Sequence, residues 1–192
     1  MKIDGQGRAS ILSPSEFDLL ISNAPCMRSR ALFSVMRFTG SRISESLQLR
    51  WVAVQDAQLI FMKRTTKTKK TREVLLHERL IKELKIYRDY WVKRYGKEPA
   101  SGDLLFAGRF SLREPLTRQW GHKAWRKAIK NAGLKAGTSC HTPRRSFCTQ
   151  LHEKGVPLKT IAAYSGHSSL DQLSQYVDVG LKEKVRALKA LD

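Results

Sequence analysis

The chain has 192 residues, enough for one ordinary domain with a buried core. Thirty-six Lys and Arg against 17 Asp and Glu give a formal charge of +19 and a pI near 10.3, which favours a polyanionic partner, DNA or RNA ahead of an anionic membrane. No apolar window reaches membrane-spanning length and the N-terminus lacks the apolar run of a secretory signal, so a cytoplasmic, nucleoid-associated protein is expected. Three unpatterned cysteines, Cys26, Cys140 and Cys148, fit a reducing compartment.

Residues 1–12, with Gly5 and Gly7, read as a flexible N-terminal arm, and residues 13–192 as one domain. Ser13-Pro14-Ser15-Glu16 is a capping box with proline at the first helical position, opening a helix through Phe17, Leu20 and Ile21. A second helix from Arg30 to Phe38 stops at Thr39-Gly40. Ser41 then reads as the cap of a short helix carrying Arg42 in its opening turn and burying Ile43 and Leu47. From Trp51 the period changes: Leu59 to Met62 and Val74 to Leu76 are β-like runs flanking Lys63-Arg64-Thr65-Thr66-Lys67-Thr68-Lys69-Lys70-Thr71-Arg72. This predicts a hairpin with a basic tip and no glycine to fix a tight turn.

Leu80, Ile81, Leu84, Tyr87 and Trp91 recur at helical spacing and read as core. Leu104 to Phe106 reads as a short buried strand. Pro115-Leu116-Thr117 introduces a helix whose Lys123, Arg126, Lys127 and Lys130 form a basic face, either a DNA-backbone contact or plain solvated surface. In the last third, Cys140-His141-Thr142-Pro143-Arg144-Arg145 predicts a helix with Thr142 as cap and Pro143 first, His141 and Arg144 sharing a face. Arg42 and Arg144 then both sit on the positive end of a helix dipole, a conflict that a docked anion would remove. Gly166 ends a further helix, His167 follows it, and Ser168 or Ser169 opens a short helix presenting Tyr176. Beyond Gly180, Leu181, Val185, Leu188 and Leu191 form an apolar stripe on a terminal helix that folds back or docks on a neighbour. Cys148 and His152, four apart, lack the second ligand pair that a metal site needs.

Thr39-Gly-x-Arg42-Ile-Ser-Glu45, a lysine in a basic hairpin, His141-x-x-Arg144, Gly166-His167 and Tyr176 together resemble the catalytic domain of the tyrosine recombinases, the phage integrase family. The resemblance spans Ser13 to about Leu191 and implies an α+β, mainly helical fold with a small antiparallel hairpin. It departs from the family at Pro143, where an aliphatic residue is usual. Most members carry an additional N-terminal DNA-clamping domain, which the twelve residues ahead of the first helix are too few to encode.

By that resemblance the catalytic set is Arg42, Lys67, His141, Arg144, His167 and Tyr176. Arg42 and Arg144 would neutralise phosphate oxygens, Tyr176 would be the nucleophile and His141 the general base. Lys67, with Lys69 as runner-up, would protonate the leaving 5′-oxygen, and His167 would hydrogen-bond the phosphate. Lys63, Arg64, Lys69, Lys70, Arg72, Lys123, Arg126, Lys127, Lys130 and Arg145 are candidate DNA contacts, and Glu45 a scaffold for a neighbouring arginine. No metal or other cofactor is implied. The implied partner is double-stranded DNA, bound by a dimer to tetramer linked through helix 181–191. A DNA-binding accessory factor with a degenerate site and a type IB topoisomerase are the competing readings.

Overall fold

The computed structural model describes residues 9–66, 70–108, 110–135, 137–174 and 176. Lys67, Lys69 and the terminal helix expected over 181–191 therefore lie outside the described residues. The described elements are α1 (Pro14–Ser22), α2 (Met27–Thr39), α3 (Ile43–Leu47), β1 (Gln58–Phe61), β2 (Arg72–Leu75), α4 (Glu78–Tyr95), α5 (Arg118–Asn131), α6 (Thr142–Glu153), α7 (Leu158–Ser165) and α8 (Leu170–Ser174).

Helix α2 is the axis. It packs against α1, α3, α4, α5 and α6, and Ala31, Leu32, Phe33, Val35 and Met36 are all buried. A helix covered on most sides must be apolar on most sides, and α2 meets that condition by turning Ser29, Ser34 and Thr39 back onto backbone carbonyls. Around it Phe17, Leu20, Phe61, Leu84, Tyr87, Trp91, Phe106 and Trp125 form one continuous core. The aromatic stripe of α4 is core, as its spacing predicts, and Tyr87 donates its hydroxyl to the Leu105 carbonyl at 2.8 Å. Strands β1 and β2 pair antiparallel, Gln58 opposite Leu75 and Phe61 opposite Arg72. A second, much smaller cluster of Cys148, Ile161 and Leu173, flanked by Phe147, Leu151 and Tyr176, holds α7 and α8 to the outer side of α6.

Several local expectations are corrected. Residues 9–12 are not a loose arm: Leu12 is buried, and the segment is strapped along α6 by Thr142 Oγ1 to the Ser10 carbonyl, Gln150 Nε2 to the Leu12 carbonyl and the Leu12 N–H to Ser146 Oγ. Leu104 to Phe106 is buried but forms no strand. It is held by isolated bridges, Arg50 with Leu104 and Ala107 with Pro115. Helix α6 begins one residue early, with His141 as N-cap and Pro143 in the second helical position, because the Thr142 hydroxyl is occupied with Ser10 and the Ser139 N–H. Proline is harmless there too, since that N–H has no helical acceptor. Arg42, not Ser41, caps α3, because the Ser41 hydroxyl is committed to Thr39 and Ser46. The capping box at Ser13 and Glu16 and the glycine ends of α2 and α7 form as predicted, while Thr117 caps α5 and Gly96 ends α4 in the αL conformation.

Candidate active site

Three arginines from distant parts of the chain are linked through one carboxylate and one carbonyl. Glu45, buried in the first turn of α3, accepts from Arg42 Nη1 at 2.8 Å and from Arg72 Nη2 at 3.4 Å. It also accepts from the Arg42 N–H at 3.2 Å, so the carboxylate occupies the dipole's positive end and Arg42 is tolerated there. Arg72 reaches across to the Ser165 carbonyl at 3.0 Å, its guanidinium lying over the Phe61 ring. Arg144, 1% exposed, donates to the same Ser165 carbonyl and to the Gly40 carbonyl at 2.9 Å.

Both carbonyls end helices at glycine corners. Gly40 sits at φ 61° and Gly166 at φ 72°, conformations that disfavour any Cβ. A Cβ on Gly166 would also collide with the Arg72 guanidinium, and one on Gly40 with the Phe147 ring. These glycines are therefore steric requirements for bringing the arginines together.

Among the described residues, three guanidiniums against one carboxylate leave an excess of positive charge here. Burial, then Arg42, pulls the Arg144 pKa down to about 10, so it stays charged at neutral pH. Its Nη2 is buried and has no partner among the described residues. His167 stands just past α7, its Nδ1 2.7 Å from Ser165 Oγ. Burial, then Arg144, Arg42 and Arg72, lowers its pKa to about 3, so its ring is neutral at neutral pH. His167 Nε2 is likewise buried without a partner among the described residues. Orphaned polar atoms of this kind are costly and mark a place for a missing partner. Tyr176 lies against His167, ring centroids 5.3 Å apart, and its carbonyl accepts from Thr149 Oγ1 at 2.7 Å. Arg42, Lys70, Thr71, Arg72, Gly166 and His167 line a cleft of about 570 Å³ over this cluster.

The residues singled out in the sequence fall into distinct places. Arg42, Arg144, His167 and Tyr176 are brought together. His141 is exposed at the N-cap of α6. Lys63, Arg64 and Lys70 are exposed at the hairpin, and Lys123, Arg126, Lys127 and Lys130 are exposed along α5. Two expected DNA contacts are corrected. The Arg72 side chain is 8% exposed and serves as a wall of the site, since β2 aims it at Glu45 and Ser165. Arg145 turns away to the Ala9 carbonyl at 2.6 Å. The sequence did not point to Ser165 or the Gly40 carbonyl as organisers, because backbone acceptors leave no signature in residue type. Among the described residues no group of three or more His, Cys, Asp or Glu is placed to hold a metal ion.

Fold and site together define a class. Residues 11–183 match the phage integrase family, and the chain belongs to it. It is 33% identical over 184 residues to a tyrosine recombinase of Pseudothermotoga lettingae, covering 94% of this chain and 60% of that protein. Among solved structures it superposes on the XerA recombinase with a TM-score of 0.78 at 23% identity, covering 96% of this chain and 66% of that one. It superposes on the XerH site-specific recombinase bound to its difH substrate with a TM-score of 0.77 at 23% identity, covering 99% and 56%. The chain thus spans about half to two thirds of the length of the relatives it matches.

Proposed function

We propose that this chain cuts and rejoins double-stranded DNA at specific sites through a covalent link between Tyr176 and a 3′-phosphate. The observation that carries the reading is the meeting of Arg42, Arg72 and Arg144 beside His167 and Tyr176, with two orphaned buried nitrogens, Arg144 Nη2 and His167 Nε2. A phosphodiester is the DNA group whose charge and acceptor oxygens answer both. Guanidinium forks match phosphate oxygens in pairs, and their charge is already in place before the phosphorane forms.

In this scheme the Tyr176 oxygen attacks phosphorus as its proton passes to a base, His141. The bond from phosphorus to the 5′-oxygen breaks, and that oxygen leaves as a hydroxyl with a proton from Lys67. Rejoining runs the same steps backwards with a 5′-hydroxyl from another strand. One phosphoester replaces another, so the bond energy is retained, and neither a nucleotide nor a metal enters the balance. The exposed cations of the hairpin and of α5 would carry backbone contacts, and a dimer to tetramer would assemble on the DNA, linked by helix 181–191.

The test is a nicked suicide duplex whose cleaved end diffuses away. Wild type should accumulate a covalent protein–DNA adduct, and Tyr176→Phe should form none. Adduct formation by Tyr176→Phe, or its absence from wild type on duplexes carrying the natural site, would remove the reading.

A further inference from the structure

The hydrogen bonds around Ser165 constrain which nitrogen of His167 carries the proton. Ser165 is fully buried at the last turn of α7. Its Oγ lies 2.6 Å from the Ile161 carbonyl and 2.7 Å from His167 Nδ1. A carbonyl only accepts, so the single hydroxyl proton goes to Ile161. With that proton spent, the 2.7 Å contact to Nδ1 is a hydrogen bond only if the ring donates it. The donor is Nδ1–H, which in a neutral imidazole leaves Nε2 as a bare lone pair.

We propose that Ser165 is a positioning residue that locks His167 as the Nδ1–H tautomer, so that His167 can engage a phosphate only by taking up a proton at Nε2. This rests on the strand-exchange reading for the identity of the anion. A lone pair facing a phosphate oxygen is repulsive, and reversing the tautomer would strip Ile161 or Nδ1 of its partner inside a buried network. Protonation from solvent resolves both, giving Nε2–H···O–P while Nδ1–H stays on Ser165. The groups facing the ring explain why the proton is absent before DNA arrives. Arg144 from α6, Arg42 from the cap of α3 and Arg72 from β2 all repel it, Glu45 is already engaged by two of these arginines, and Tyr176 lies alongside. An entering phosphate offsets that repulsion. Substrate binding is thereby coupled to proton uptake.

The experiment uses the full chain with ¹⁵N-labelled histidine, the five imidazoles being assigned with His167→Gln as reference. At pH 7 without DNA, His167 should show a protonated Nδ1 and an unprotonated Nε2, and Ser165→Ala should shift the ring towards Nε2–H. A wild-type Nε2–H tautomer overturns the proposal, and this measurement needs no variant of Ser165 to fold. On adding a 20-base-pair duplex at low salt, both nitrogens should become protonated. Calorimetry in buffers of different ionisation enthalpy should then record uptake approaching one proton, equivalent to an affinity gain of up to about tenfold per pH unit of acidification. Ser165→Ala and His167→Gln should flatten that slope. Duplex binding with no proton taken up at His167 overturns the coupling while leaving the strand-exchange reading standing. Failure to bind any duplex or form any adduct removes that reading, and the DNA-free spectrum still decides the tautomer.

Discussion

The two halves of the site rest on foundations of different size. Arg42, Glu45 and Arg72 are anchored in the main core around α2, where Phe33, Met36, Leu59 and Phe61 are completely buried. Tyr176 and His167 rest on the satellite cluster, whose buried members among the described residues are Cys148, Ile161 and Leu173. Opening free energies follow local contact density, so the second half should open far more readily than the first. The division suits the proposed chemistry. Charge that must be in place before the transition state sits on the rigid half, and the group that must travel sits on the half that yields.

Substitutions can break or sharpen that contrast. The largest effect is expected at Glu45, the carboxylate that pairs with Arg42 and Arg72 among the described residues, its side chain 2% exposed. Glu45→Ala should cost about 3–5 kcal/mol of unfolding free energy, because it strands buried cations. Denaturant titration checks it, and a loss under 1 kcal/mol would mean that the rigid half is not held by this ion network. Arg144→Ala should lower adduct formation roughly 10²–10³-fold by removing a transition-state donor. Arg144→Lys should not restore it, since an ammonium cannot keep both carbonyls and still offer a free donor in the same plane.

On the yielding half, Leu173→Ala removes a fully buried side chain and should cost about 2–3 kcal/mol, but locally. Hydrogen exchange should speed up through α7 and α8 while α2 keeps its protection. Equal loss in both would show one cooperative unit. Gly166→Ala should cost about 1–2 kcal/mol from its positive φ alone, and should displace Arg72 from Ser165.

A further effect is the response to acid. His167 has its folded-state pKa lowered from 6.5 to about 3, so the unfolded chain binds a proton first as pH falls. Its contribution to stability is complete above pH 6.5 and is lost progressively on acidification towards pH 3. Thermal unfolding of wild type should steepen over that window relative to His167→Gln, and parallel curves would contradict the assignment.

What the sequence made legible divides along physical lines. Helical periodicity and cap chemistry are local, so α1, α4, α5 and the Gly166 corner could be read from residue order. The pairing of Arg42 with Arg144 was suggested because two arginines at helix starts are anomalous enough to demand a common partner, whereas His167 and Tyr176 entered only through the family resemblance. Arg72 was misplaced because a basic residue at the foot of a hairpin looks like its neighbours at the tip, and only the pairing with Phe61 turns it inward. The Leu104 segment was misread for the opposite reason. Its apolar run signals burial, but burial does not specify a ladder partner. Ser165 was invisible because its importance lies in a carbonyl and a hydroxyl that every serine has.

The strap formed by residues 9–12 has a mechanical consequence. Ala9, Ser10 and Leu12 are fastened at successive turns to Arg145, Thr142, Ser146 and Gln150, all on the helix that carries Arg144. A pull on the polypeptide ahead of Ala9 would act along that helix before reaching any other element. Load arriving from the N-terminal side is thus delivered next to Arg144, and a chain cut at Ser13 would lose that handle while keeping its helices.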